Sequence, residues 1–195
     1  MIISMCDYNK LIVVTNRHLC KGDFLAQLAK VLALKPCALI LREKDLDYDE
    51  YSALAKKVKA LCDKANVPMF VHTHFELARS LKCGVHLSFE NWKAQQEALA
   101  LAKQNGVAKI SVSCHSLEEA QKAEAKGADQ IVLGTIFATN CKPGKEGAGL
   151  EFLQEVCQSC NKPVYAIGGI KEENLQSVLD AGAAGGCMMS GFMEL

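Results

Sequence analysis

Short β-rich runs alternate with helical patterns from one end of this chain to the other, and that alternation restricts the fold more than any other feature. The strand-like runs are Leu11–Thr15, Ala38–Arg42, Met69–His72, Gly84–Leu87, Lys109–Ser113, Gln130–Leu133, Val164–Ile167 and Gly186–Met189. Helical patterns lie between them at Phe24–Leu34, Tyr48–Ala65, Phe75–Leu81, Lys93–Gln104, Leu117–Lys126, Gly149–Cys160 and Glu172–Ala181. The second and fourth carry apolar residues at helical spacing, for example Leu54, Val58 and Leu61, then Leu99 and Leu101. Ser116 is placed to cap the helix that Glu118 and Glu119 open, and helices close on Asn66, Gly106, Gly127 and Gly182. Eight β-α repeats imply a parallel sheet with right-handed crossovers, closed into a compact (β/α)8 TIM barrel of the α/β class. A doubly wound open sheet is the rival. It wants a Gly-rich turn after the first strand, whereas Leu11–Thr15 runs into Asn16-Arg17-His18.

The 195 residues suit one domain, residues 1-195, which is small for this fold. Only Gly191 to Leu195 follow the last strand region, so the closing helix is truncated. That predicts an uncovered apolar face and raises a homo-oligomer. A hydrophobic fraction of 50% excludes a disordered chain, and a net charge of +0 argues against a general nucleic-acid or anionic-membrane binder. No apolar run approaches a membrane span, and the N-terminus lacks a basic region and cleavage site, so a cytoplasmic location is expected. The ten cysteines scatter over strands, helices and loops, and Cys157-Gln158-Ser159-Cys160 is the single CxxC. With no second pair at zinc spacing, thiols in a reducing cytosol are the expected reading.

In a barrel of this kind the active site gathers at the C-terminal ends of the strands. Ala166-Ile167-Gly168-Gly169-Ile170 ends the seventh strand and Ser190-Gly191 follows the eighth. Glycines there let backbone N–H groups approach a ligand, and loops after the last two strands are where such barrels bind phosphate. Gly168, Gly169, Ser190 and Gly191 are therefore the candidate phosphate site for a small phosphorylated substrate. A tight turn without ligand is the alternative. Arg42 and Lys44 share a parity, and Lys142 lies in the Gly-rich segment that ends at Gly149, so the three suggest a second anionic group, a diphosphate or carboxylate. Ordinary pairing of these cations with Glu43 and Asp45 competes with that reading. His115 stands where a general acid/base would stand, or it bonds backbone at the next helix. His72 and His74 raise a metal pair with His86 or Glu90 as third ligand, or a set of hydrogen-bonding histidines. His86 also fits the barrel interior.

These strand ends resemble the thiamine phosphate synthase superfamily, which includes the TenI-type thiazole tautomerases. The resemblance covers nearly the whole chain. It is carried by Val13-Val14-Thr15-Asn16-Arg17, Leu41-Arg42-Glu43-Lys44, Gly84-Val85-His86-Leu87, Ser113-Cys114-His115-Ser116-Leu117-Glu118-Glu119-Ala120, Gly127-Ala128-Asp129, Gly134 to Lys142, and Ala166-Ile167-Gly168-Gly169-Ile170. It implies that Arg42, Lys44 and Lys142 hold a diphosphate, that Gly168, Gly169 and Ser190 hold a thiazole phosphate, and that Ser113 and Thr139 line the pocket. The synthase reaction it implies joins a pyrimidine diphosphate to a thiazole phosphate with magnesium. Against the synthase pattern, Ile40 stands for a glutamine, His72-Thr73 for an Asn-Asp pair, Asn91 for an aspartate and Cys141 for a threonine. Both magnesium-binding carboxylates are thus absent, and a hard cation wants charged oxygens. The resemblance therefore points first to a tautomerase-like proton transfer through His115, which needs no cofactor or metal. A divergent synthase and a non-catalytic binder of the phosphorylated ligand are the alternatives.

Overall fold

The computed structural model describes residues 7–139 and 146–195. Eight strands close into a barrel in sequence order, each parallel to its neighbours: β1 Leu11–Val14, β2 Ala38–Leu41, β3 Met69–His72, β4 Gly84–Ser88, β5 Ile110–Cys114, β6 Gln130–Gly134, β7 Val164–Ile167 and β8 Gly185–Met188. β8 returns to β1 through Leu11↔Gly186 and Val13↔Met188. Each strand begins and ends within one residue of its sequence-based bounds.

The helices are α1 Phe24–Ala33, α2 Tyr48–Ala65, α3 Phe75–Ser80, α4 Phe89–Ala94, α5 Gln96–Gln104, α6 Leu117–Ala125, α7 Gly149–Ser159, α8 Leu175–Asp180 and α9 Ser190–Met193. Local chemistry sets their starts. Asp23 accepts from Ala26 N–H at α1, Asp47 and Glu50 form a reciprocal capping box at α2, and Ser116 accepts from Glu119 N–H at α6. The helix expected over Lys93–Gln104 is instead two helices. Ser88 caps an earlier start at Phe89, burying Trp92, and the chain breaks at Gln95 before α5. Leu101 is 59% exposed, because a residue two positions from buried Leu99 lies on the opposite helix face.

Two apolar layers follow from strand alternation. Ile12, Val14, Ala38, Ile40, Phe70, Val132 and Cys187 point into the barrel. The other set, including Leu11, Val13, Leu39, Leu41, Val71, Val85 and Leu133, packs outward against the helices. Gly84 leaves room for the Phe70 ring, which a Cβ at that position would strike. The expected bare face at the end of the chain is corrected in part. The single turn α9 seals it with Phe192 and Met193, both nearly fully buried, and buried Gln27 donates to Phe192 O at 2.8 Å. Among the described residues no helix is long and apolar enough to cross a membrane, and the cysteines described are free thiols.

Candidate functional site

The mouth of the barrel between β1 and β2 is built on a buried carboxylate. Glu43 accepts from the Thr15 hydroxyl at 2.6 Å, from Arg17 N–H at 3.1 Å and from Arg17 Nη1 at 3.2 Å. Thr15 Oγ1 in turn accepts from Arg42 N–H at 2.9 Å, which fixes the backbone where β2 ends. Arg17 continues to Asp45 through Nη1 at 2.7 Å and Nη2 at 2.5 Å, and His18 Nε2 reaches Asp45 at 3.0 Å. The guanidinium bonds, then His18, hold the Asp45 carboxyl well below the usual range. Glu43 and Asp45 are thus committed to Arg17 and His18 rather than to Arg42. Arg42 is half-buried and its guanidinium has no hydrogen bond or ion pair among the described residues, while Lys44 is exposed. Lys142 lies outside the described residues.

The next strand ends hold the histidines. Thr73 has φ +72°, so β3 stops at His72 and the chain turns into α3. The HxH pair is thereby split. His74 packs its ring against Tyr51 and Tyr48, with centroids 5.0 and 5.3 Å away, while His72 faces His86 at 6.2 Å. Burial, then the charges of Arg42 and Lys44, pushes His72 down to about 4. His86 is 6% exposed, and both its ring nitrogens are engaged: Nδ1 with Ser111 Oγ and Nε2 with Ser113 Oγ, each at 2.9 Å. Gln130 Nε2 donates to the same Ser111 oxygen at 3.1 Å. Burial first, then His72 and Arg42, pushes His86 down to about 3, so it is a neutral interior histidine. Glu90 is an exposed residue of the first turn of α4, and among the described residues no hydrogen bond joins it to this network.

His115 follows β5 and is exposed at the mouth. Its N–H is held by the Glu119 carboxylate at 2.7 Å and its Nδ1 bonds Gly134 O, the carbonyl that ends β6. An Nδ1–H donated to a carbonyl leaves Nε2 as a lone-pair acceptor, the arrangement a proton shuttle needs. The backbone-bonding reading of His115 and the acid/base reading therefore describe one geometry. Ser113 is half-buried on the same strand, and Thr139 is half-buried after β6.

Gly168 and Gly169 have φ of +99° and +65°. Their lack of a side chain is also required by packing. A Cβ on Gly168 would strike Thr135, and one on Gly169 would lie 2.7 Å from Ala138 O and Phe137 Cβ. The segment after β6 is tied to them, with Ile136 N–H donating to Ile167 O at 2.9 Å and Phe137 N–H to Gly168 O at 3.0 Å. Ser190 and Gly191 open α9 and are exposed, one strand over, since Ile167 pairs with Cys187. The two loops are neighbours, as the sequence spacing requires.

The synthase resemblance carries magnesium with it, and the donor set does not fit that ion. Thr73 and Asn91 offer no charge, Glu43 and Asp45 are consumed by Arg17 and His18, and Glu119 is turned to the His115 backbone. Among the described residues no three His, Cys, Asp or Glu side chains converge on a point where a metal could sit. Two further elements escaped the sequence reading. Tyr51 sits almost fully buried on α2, donates to Leu41 O at 2.7 Å and accepts from His72 N–H at 2.8 Å, bridging the splayed ends of β2 and β3. Ser111 and Gln130 extend the polar seam below Ser113. Ser111 carried a signal, lying two residues from Ser113 on the same strand face, whereas Tyr51 carried none beyond its helical position.

Comparison with known proteins points one way. The profile of a family described as thiamine monophosphate synthase matches residues 11–192. A thiamine-phosphate synthase of Clostridium tetani is 33% identical over 183 residues, covering 92% of this chain and 86% of that protein. One from Coprothermobacter proteolyticus is 35% identical over 183 residues, covering 93% and 85%. Among solved structures, the thiamine phosphate pyrophosphorylase of Pyrococcus furiosus superposes with a TM-score of 0.80 at 29% identity, over 97% of this chain and 89% of that one.

Proposed function

The chain belongs to the thiamine monophosphate synthase family, and from that premise we propose that it is a thiamin-biosynthesis enzyme acting on a phosphorylated thiazole. The synthase reaction, joining that thiazole phosphate to a pyrimidine diphosphate, has the stronger support, since relatives at 33% and 35% identity bear the synthase name across nearly their whole length. This reverses the order of the two reactions drawn from the sequence alone. The single structural observation that carries the substrate class is the pairing of two adjacent loop ends, Gly168-Gly169 and Ser190-Gly191, under a mouth that holds the uncommitted Arg42 guanidinium. In this reading the loops bind the thiazole phosphate through backbone N–H groups, and Arg42 meets diphosphate oxygens in a charge-assisted fork. Lys44 adds charge from the rim, and the resemblance gives Lys142, outside the described residues, the same role. Because the carboxylates for magnesium are missing, the chain's own cations supply the stabilisation of a departing diphosphate.

Proton transfer on a thiazole phosphate carboxylate is the second reading. One observation favours it: among the described residues, His115 is exposed and anchored through Nδ1 to Gly134 O, which leaves Nε2 without a protein partner, and no carboxylate cluster could hold a metal. The two reactions separate in one assay. Purified protein receives pyrimidine diphosphate, the initial tautomer of the carboxylated thiazole phosphate and magnesium, with and without a trace of a known synthase. Thiamin phosphate without the helper supports the synthase. Acceleration only with the helper moves the assignment to the tautomerase. No effect in either tube refutes both. His115→Gln adds a second discriminator, since it lowers the rate by roughly 100-fold or more if His115 shuttles the proton.

A further inference from the structure

The barrel interior contains a hydrogen-bonded chain that climbs from its closed end to its mouth: Gln130, Ser111, His86, Ser113. Its polarity follows from counting protons. The Gln130 amide nitrogen can only donate, so Ser111 Oγ accepts from it at 3.1 Å. Ser111 is fully buried, and its own hydroxyl proton needs an acceptor. The acceptor within reach is His86 Nδ1 at 2.9 Å. A neutral imidazole that accepts at Nδ1 carries its proton on Nε2, and that N–H then donates to Ser113 Oγ at 2.9 Å. The Ser113 proton is left over. Ser113 is half-buried at the mouth, where a ligand would reach it. The surroundings keep the ring neutral at physiological pH, since burial and the facing His72 and Arg42 all disfavour the imidazolium.

We propose that Gln130 and Ser111 are positioning residues that lock His86 in its Nε2–H tautomer and so present the Ser113 hydroxyl to the substrate as a hydrogen-bond donor. The substrate atom at that point is an acceptor, such as a ring nitrogen or a carboxylate oxygen. A ligand that offers an N–H there meets a donor and is rejected. The choice of acceptor-bearing ligand rests on the proposed function; the tautomer does not.

The test is the tautomer of His86, read from long-range proton–nitrogen correlation spectra of the ring near neutral pH. The expected spectrum has a protonated Nε2 and a bare Nδ1. A protonated Nδ1 overturns the proposal. Gln130→Glu replaces the donor at the base of the chain with a pure acceptor, which draws the Ser111 proton away from His86 and is expected to switch the ring to Nδ1–H. The Ser113 proton is then spent on Nε2, and the dissociation constant for the thiazole phosphate rises about tenfold, the value of one hydrogen bond with a partner left unmet. Should Gln130→Glu not fold, Ser111→Ala serves instead, and its His86 is expected to lose the pure Nε2–H signature. Unchanged tautomers in the folded variants overturn the positioning role. A correct tautomer with no binding of thiazole phosphate by the wild type refutes the proposed ligand and leaves the relay standing.

Discussion

Glu43→Gln is the sharpest perturbation of the mouth, because it changes one atom's hydrogen-bonding character and almost no volume. The Glu43 side chain is 1% exposed, and everything that faces it is a donor: the Thr15 hydroxyl, Arg17 N–H and Arg17 Nη1. Were Thr15 to accept from a new NH2 group as well as from Arg42 N–H, its own proton would lose the carboxylate that now accepts it. A glutamine has one acceptor oxygen and an NH2 group. With the oxygen toward Thr15, the NH2 faces the Arg17 donors, and with the oxygen toward Arg17, it faces Thr15. Breaking a buried hydrogen-bonded charge pair costs about 3–5 kcal/mol. Arg17 keeps its two bonds to Asp45 and is partly exposed, so we place the loss at the lower end, about 3 kcal/mol. For a chain of this length each kcal/mol moves the melting temperature by about 2–4 °C, giving a drop of roughly 6–12 °C. Urea and thermal melts of the two proteins measure it directly. A loss below about 1 kcal/mol would mean instead that water or a rearranged Arg17 satisfies the donors.

Three further outcomes are expected. Tyr51→Phe leaves Leu41 O and His72 N–H without their partner and lowers stability by about 2–4 kcal/mol in urea unfolding, from one buried and one part-buried group at about 1–2 kcal/mol each; equal midpoints would show both groups solvated. His72 and His86 are held down to about 4 and about 3, below the unfolded value of about 6.5, so the unfolded chain binds more protons in that interval. Their contribution is complete above about pH 6.5 and is lost as the pH falls through the folded values, with a slope approaching about 1.4 kcal/mol per unit for each histidine; a flat urea midpoint between pH 6.5 and 4 would contradict both assignments. Gly168→Ala forces a Cβ onto Thr135 at φ +99° and costs about 1–3 kcal/mol in a thermal melt even without ligand; an unchanged melt would mean that the segment after β6 yields.

The barrel was legible because strands buried on both faces read as short apolar runs, and helices at 3.6-residue spacing separate them. Boundaries slipped where a single cap decided the matter, as at Ser88, whose hydroxyl starts α4 four residues before the expected helix. The strand-end residues were legible as positions but not as partners. Nothing in the spacing of Arg17, Glu43 and Asp45 says that the carboxylates turn to β1 and leave Arg42 uncommitted; that follows from Thr15 and Glu43 meeting across two adjacent strands. The HxH pattern left a metal pair and a set of hydrogen-bonding histidines both open, and the left-handed Thr73 splits the pair by taking His74 off the strand face. Gly168-Gly169 signalled a close approach, and the atoms that approach belong to the segment after β6; approach of a ligand there is the proposal.

In the function we propose, a phosphorylated thiazole is held at the loops after β7 and β8. Amide spectra of the isotope-labelled protein, titrated with thiazole phosphate, test it most directly. Saturable shifts centred on the N–H groups of Gly168, Gly169, Ser190 and Gly191 are expected. Absence of those shifts, or saturation confined to another face of the barrel, would contradict it.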